Sequence, residues 1–221
     1  MRKGFILIAA AVMTAALSVP VFAGSWQGSN ESGWKWQRDN GSYASSGWEW
    51  CDGDNDGLAE CYYFTAQGIC LQNTTTPDGF TVNADGAWAD DGWIQRKNVD
   101  GGGWETGAWN SVGRYHEFYY RGRTGKRITN QWRKSGDYLF HLGSDGALER
   151  NVTVWSWGKL YFASEDGAMV YNSKIPFDLN GQIVWIEFGP DGAALNGSEA
   201  LAGLKPATSD YKYSVWGSIW L

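Results

Sequence analysis

Three aspartates stand at alternate positions in Asp52-Gly53-Asp54-Asn55-Asp56-Gly57. Carboxylates at that spacing can converge on a hard cation, and the stretch fits the first half of an Asp-x-Asp-x-Asp-Gly calcium loop, with glycine at the sharp turn. On that pattern the Leu58 carbonyl takes the seventh position and Glu60 the ninth, while position twelve, where a bidentate glutamate would close the site, is Tyr63. Calcium is thus the one cofactor the sequence suggests, held weakly by Asp52, Asp54, Asp56 and Glu60 for want of that closure. The competing reading is an acidic hairpin tip built from turn formers. Cys51 and Cys61 flank the loop. In a hairpin centred on Asp56 they face each other at a separation suited to a disulfide, with Cys61–Cys70 as the rival pairing and one cysteine left over in either case.

Catalytic chemistry has little to work with. His116 and His141 are the only two histidines, and Tyr115-His116-Glu117 belongs to no recognisable motif. No His-Glu-x-x-His pair, Gly-x-Ser-x-Gly elbow, phosphate-binding glycine loop or dinucleotide fingerprint occurs. Two carboxylates suffice for glycoside hydrolysis, so the 24 acidic residues do not exclude it by count. The chain is too short to hold both a catalytic domain and the repeats described next, and it reads as a non-enzyme.

The elements that would carry such loops are short strands. The 221 residues include 30 glycines, 15 tryptophans, 11 tyrosines and 9 phenylalanines, a composition that excludes disorder and favours strands with tight reversals. One pattern recurs: aromatic residues on a short strand, a turn ending in glycine, then small or apolar residues. It appears at Tyr62-Tyr63-Phe64 with Gly68, Phe80 with Gly86, Tyr119-Tyr120 with Gly125, Tyr138-Leu139-Phe140 with Gly146, Tyr161-Phe162 with Gly167, and Trp185 to Phe188 with Gly192. A period near twenty residues is one hairpin per repeat, and the doubled interval between Gly86 and Gly125 leaves room for a further unit near Trp104 to Trp109. The glycine supplies the positive φ that a tight hairpin needs. A lone hairpin is unstable in water, so stacked hairpins must cover one another. The expected fold is all-β, a solenoid-like array of about six hairpins.

Gly47-Trp48-Glu49-Trp50 followed by Tyr62-Tyr63-Phe64-Thr65-Ala66-Gln67-Gly68 resembles the cell-wall-binding repeat of choline-binding and glucan-binding proteins. Gly158-Lys159-Leu160-Tyr161-Phe162 through Asp166-Gly167-Ala168-Met169 is similar to it without a gap, and Trp132 to Leu148 with one insertion. The stretch from Trp34 to Trp88 resembles N-terminal segments of secreted wall-binding proteins of Gram-positive bacteria. The resemblance implies a β-hairpin solenoid that holds proteins non-covalently to wall teichoic acid or glucan. Its sites lie between consecutive hairpins, where about three rings surround a choline headgroup by cation–π attraction. Carried over, the ligand-binding rings are Trp132 with Tyr138 first, then Trp50, Tyr63, Trp157 and Tyr161. The ring that opens the family's Trp-Tyr-Tyr run is replaced here by Cys61, Tyr138 and Leu160, which favours flat stacking on sugars over a complete choline cage.

Arg2 and Lys3 precede an apolar run from Phe5 to Leu17, and Val21-Phe22-Ala23 has the small residues of a cleavage site. Residues 1–23 thus read as a secretory signal peptide, and no other apolar run approaches the roughly 18 residues of a transmembrane anchor. The expected divisions are 24–93 as N-terminal wall-binding repeats with the acidic loop, 94–131 as a basic degenerate repeat or linker, 132–200 as C-terminal repeats, and 201–221 as a tail. Removal of Arg2 and Lys3 takes the formal charge from −6 to −8. The basic residues concentrate in 94–134, which could meet an anionic polymer such as a phosphate-rich wall glycan or simply offset the acidic flanks. A chain this acidic is not a nucleic-acid binder. The expected function is a secreted, wall-associated binder of cell-wall polysaccharide or teichoic acid. A surface adhesin for a protein partner and a small wall hydrolase are the alternatives.

Overall fold

The computed structural model describes residues 24–109 and 116–207. The expected signal peptide, Tyr115, and residues 208–221 of the expected tail lie outside the described residues.

Short antiparallel hairpins follow one another along the chain. β1 (Ser25–Ser29) pairs with β2 (Gly33–Gln37), and β3 (Gly47–Cys51) with β4 (Leu58–Phe64). Two small ribbons come next, β5 (Thr74–Thr75) with β6 (Thr81–Val82) and β7 (Ala89–Asp90) with β8 (Trp93–Ile94). The lone strand β9 (Arg96–Asn98) returns to the free edge of β4 and makes a three-stranded sheet. Then come β10 (Gly103–Trp109) with β11 (His116–Arg121) and β12 (Gln131–Ser135) with β13 (Tyr138–Leu142). The last pairs are β14 (Val152–Ser156) with β15 (Lys159–Ala163) and β16 (Ser173–Leu179) with β17 (Gln182–Phe188). The described residues contain one 3-10 turn, Glu199–Leu201, and no longer helix.

The all-β hairpin array is as expected, but it has eight hairpins among the described residues rather than six. The two extra units are β1–β2 and β7–β8; the first is followed by an Asn40-Gly41 turn rather than the sought pattern, and the second by none. Trp104 to Trp109 is not a further unit but β10, the first strand of the hairpin already counted at Tyr119-Tyr120; the doubled interval between Gly86 and Gly125 is taken up by β7–β8 and the lone strand β9.

The glycine turns also stand in a different place. They do not reverse the hairpins; they join one hairpin to the next. After the second strand of seven of the eight hairpins a residue bridges to the residue six positions on: Gln37 to Tyr43, Phe64 to Cys70, Val82 to Trp88, Arg121 to Arg127, Leu142 to Leu148, Ala163 to Met169 and Phe188 to Ala194. The fourth residue of each intervening loop is a glycine with positive φ (Gly41, Gly68, Gly86, Gly125, Gly146, Gly167, Gly192). The hairpins themselves reverse elsewhere. Asp91-Gly92, Trp157-Gly158 and Asn180-Gly181 are two-residue loops with both φ angles positive, the geometry whose twist matches the flanking strands.

These joints tie each unit backwards. The residue that closes the bridge donates its backbone N–H to a strand of the preceding hairpin: Cys70 to Trp34 O, Leu148 to Phe118 O, Met169 to Leu139 O and Ala194 to Leu160 O, each at 2.8 Å. Apolar side chains fill the spaces so formed. Trp132, Leu139, Val154, Tyr161 and Met169 form one cluster together with Leu58. Phe162, Ile175, Phe177, Ile186 and Phe188 form another, and Trp36, Cys51, Phe64 and Cys70 a third.

Glycine should therefore matter unequally along the array. Gly125 and Gly167 both hold positive φ (75° and 88°), but a Cβ at Gly167 would meet the Leu148 side chain at 2.9 Å, whereas one at Gly125 has open space around it. Gly125→Ala should cost only the conformational penalty, about 1 kcal/mol, and Gly167→Ala distinctly more. Urea unfolding of the two variants checks the order.

Candidate functional site

β3, β4 and β9 decide what each ring can do. Their register pairs Cys51 with Glu60, Trp50 with Cys61, Glu49 with Tyr62, Trp48 with Tyr63, and Ala59 with Lys97. Because side chains alternate between faces, Cys51, Glu60, Tyr62 and Phe64 share one face. Trp48, Trp50, Ala59, Cys61, Tyr63 and Lys97 share the other. The hairpin is centred half a residue before the midpoint assumed from sequence, so Cys51 and Cys61 point to opposite faces. The expected Cys51–Cys61 disulfide is not formed, nor is Cys61–Cys70; all three cysteines are buried free thiols. Burial pushes the Cys61 thiol up to about 11 and Cys70 to about 12.

On the first face a hollow opens between β1–β2 and β3–β4. Trp26, Trp34 and Tyr62 line it, with Asn30, Gln72 and Asp85 among the polar groups at its sides, and its volume is about 460 Å³. Trp26 meets Tyr62 edge to face with ring centroids 4.8 Å apart. The indole N–H of Trp34 donates to Asn30 Oδ1 at 2.9 Å, which fixes that ring. Directly opposite Trp34 in the register is Gly28, so no cross-strand side chain covers the indole.

On the second face lies a ring cluster. Trp48 packs against Tyr63 (5.3 Å), Phe80 (6.0 Å) and Trp88 (5.5 Å), and Phe80 packs against Trp88 (5.1 Å). Phe80 is 44% exposed. Trp48 donates its indole N–H to Asp78 Oδ2 at 2.8 Å, and Thr76 donates its hydroxyl to Asp78 Oδ1 at 2.6 Å. Those bonds hold the Asp78 carboxyl below the usual range.

The rings named from sequence have a different distribution. Trp132 is fully buried, its neighbours being Trp157, Tyr161 and His141. Ser135 pairs with Tyr138, so Trp132 and Tyr138 lie on opposite faces of their hairpin and form no common site. Tyr138 is half-buried against Phe140, Leu148 and Ala168. Tyr161 is buried, and its phenol is pushed up to about 12 by desolvation. Trp157 occupies a turn rather than a first strand, with φ of 50°. Tyr63 belongs to the ring cluster, and Trp50, 38% exposed, stands on the same face. Trp26, Trp34, Trp48, Phe80 and Trp88 were not singled out as ligand-binding. Their available signal was period-two spacing (Trp34/Trp36, Trp48/Trp50), which marks a face without saying whether it is covered.

Ligand oxygens of Asp52, Asp54 and Asp56 lie within 4.8 Å of one another. Much of their acceptor capacity is already used within the loop. Asp52 accepts the Asp56 and Gly57 N–H groups, Asp54 accepts Asp56 N–H, and Asp56 accepts Leu58 N–H at 2.7 Å and the Trp157 indole N–H at 3.3 Å. Glu60, expected as a fourth ligand, is instead ion-paired to Arg96 on β9 at 2.9 Å, because β4 pairs Glu60 with Arg96 in register. Burial, reinforced by Asp54, pushes Asp56 up to about 6, and burial raises Asp52 as well.

The architecture is an array of aromatic hairpins with ring-lined hollows between them. Residues 55–88 match the choline-binding repeat. This is the stretch that holds Tyr62, Tyr63, Phe80 and Trp88. Glucosyltransferase-S of Streptococcus mutans is 28% identical over 161 residues, covering 69% of this chain; the chain spans only 11% of that relative's length. Among solved structures, the modular autolysin LytC of Streptococcus pneumoniae is 19% identical, covering 76% of this chain and 32% of that one, with a TM-score of 0.28. The choline-binding domain of CbpL from the same species is 18% identical, covering 80% of this chain and all of that one, with a TM-score of 0.26. The resemblance to choline-binding repeats drawn from the sequence is shown by the family match over residues 55–88.

Two measurements follow from this geometry. Trp132→Ala should lower stability by about 3–5 kcal/mol, the cost of emptying a packed aromatic position, as read by urea unfolding. For the acidic loop, an aspartate raised above its unfolded value favours the folded state when protonated. Its contribution is therefore full below about pH 4 and lost as pH rises through about 6. Wild type should lose about 1–2 kcal/mol across that window, allowing for the loop's partial solvation, and Asp56→Asn should flatten the slope. Thermal melts at pH 7 with calcium and with chelator test the calcium expectation. A calcium-dependent rise abolished by Asp54→Asn supports it, and superimposed curves make the segment an acidic turn.

Proposed function

We propose that this chain is a non-catalytic module that is exported and held at the cell wall by binding a wall or extracellular glycan. The observation that carries the reading is the hollow lined by Trp26, Trp34 and Tyr62. Its volume of about 460 Å³ suits one small group, within the range of roughly 300–1,000 Å³ for ligand pockets. Three π faces with the Asp85 carboxylate beside them attract a quaternary ammonium headgroup such as choline, and the same faces stack on a sugar ring. The match to the choline-binding repeat and the similarity to a glucosyltransferase both point to polymers of this kind. His141 plays no part in the reading: it is buried and bonded to Glu149 at 2.7 Å, outside the lining of the hollow.

Co-sedimentation with purified choline-decorated walls and with cross-linked dextran tests the proposal. The protein should pellet with at least one of them. Elution by free choline identifies the headgroup, and elution by isomaltose identifies sugar stacking. Trp34→Ala should weaken binding roughly 3- to 30-fold, equivalent to about 0.5–2 kcal/mol, with an unchanged melting temperature. A folded Trp34→Ala protein that pellets like wild type, or wild type that pellets with neither material, would overturn the reading.

A further inference from the structure

The second face of the β3–β4–β9 sheet continues past the ring cluster into a groove of about 540 Å³, whose walls include Trp50 and Trp88 together with Lys97 and Lys134. We propose that this groove is a separate binding site for an acidic polysaccharide, whose sugar rings stack on Trp50 and Trp88 and whose phosphate or carboxylate groups sit on Lys97 and Lys134.

Register makes the groove. Trp50 pairs with Cys61 and Lys97 with Ala59, so the indole and the ammonium rise from one face with only two small, buried side chains between them. The Lys97 ammonium lies 6.0 Å from the Trp50 ring centroid. Across the groove, the Asn98 side chain staples β9 to β12. Its Oδ1 accepts Lys134 N–H at 2.9 Å and its Nδ2 donates to Lys134 O at 2.8 Å, which sets the spacing of the two lysines.

Charge selects the ligand. No acidic residue lines the groove, although the whole chain carries a formal charge of −6. Four arginines of this part of the molecule are spent internally: Arg96 pairs with Glu60, Arg121 and Arg127 with Glu105, and Arg133 with Asp100. Lys97 and Lys134 have no ion-pair partner among the described residues. Two unpaired cations beside half-exposed indoles form a local positive site that concentrates anions. Ring stacking requires planar or ring-faced ligand units, and the ammonium groups require negative charge on the same molecule. A neutral glucan satisfies the first demand only.

The proposal builds on the glycan-binding reading, but its residues lie on the face opposite Tyr62, so the two can fail separately. Affinity electrophoresis of the chain tests it, in gels containing phosphomannan, polygalacturonate, neutral dextran or single-stranded DNA. One or both acidic polymers should retard the protein more than dextran, and 0.5 M salt, where the screening length is only several ångströms, should remove most of the difference. Retardation by the first polymer assigns phosphate and by the second carboxylate. The Lys97→Gln/Lys134→Gln double variant should lose roughly five- to tenfold in affinity for the acidic polymer, while its retardation by neutral dextran should stay that of the wild type. Equal retardation by dextran, equal binding of the double lysine variant, or tighter retention by DNA than by either polysaccharide would overturn the proposal.

Discussion

Each hairpin in this chain is too small to stand alone, and the constraint on which everything else depends is the joint that hydrogen-bonds it to its predecessor. A strand end bridges to the residue six positions on, a positive-φ glycine makes the tight return possible, and the next backbone N–H reaches back to a strand of the previous hairpin. The connection therefore does more than span a gap. It satisfies backbone groups that would otherwise be stranded between units, and it fixes the distance at which one hairpin's apolar face meets the next. Leu58 sits beside Trp132 and Tyr161 because β9, paired with β4, is also bonded through Asn98 to β12.

Within that frame, small departures from repetition create the surfaces available to ligands. Where aromatic residues meet across a joint they form core, as at Trp132 and Tyr161. Where a small residue takes the facing position the rings remain open. Gly28 opposite Trp34 leaves the hollow, and Cys61 with Ala59 leaves the groove beside Trp50. Trp157 shows the opposite outcome. A bulky residue in left-handed conformation costs about 1–2 kcal/mol, and the ring is held there by contacts with Trp132, the Arg96 guanidinium 4.7 Å from its centroid, and a hydrogen bond to Asp56. The acidic loop is thereby joined to a hairpin about a hundred residues away, and its carboxylates act in the packing of the fold.

The same logic governs charge. A basic middle segment in an acidic chain looks from composition like one feature, yet its residues divide into two groups. Arg96, Arg121, Arg127 and Arg133 are ion-paired within the fold, with Arg133 and Asp100 joined at 2.8 Å beneath Tyr120, whose hydroxyl also donates to Asp100. Lysines remain at the surface. Guanidinium groups satisfy several acceptors at once and suit enclosed positions, while a compact, strongly hydrated ammonium favours water or a mobile anion.

The sequence by itself determined the fold class, the aromatic strands and the glycine of each joint, because strand preference and positive φ are properties of single residues and their neighbours. It also carries a second periodic mark: Asn73, Asn130, Asn151 and Asn172 hold φ near 50° before a first strand, each donating its N–H to the residue after the paired strand. What sequence could not supply was parity. Whether Cys51 faces Cys61, or Trp132 faces Tyr138, turns on a register shift of a single residue, and that shift exchanges the two faces of a strand. Nor could it say which of fifteen tryptophans would be open, since an exposed ring and a core ring have the same local preferences. Only the placement of Gly28, Ala59 and Cys61 across from particular indoles, fixed when the hairpins stack, separated the rings that hold the molecule together from those free to meet a ligand.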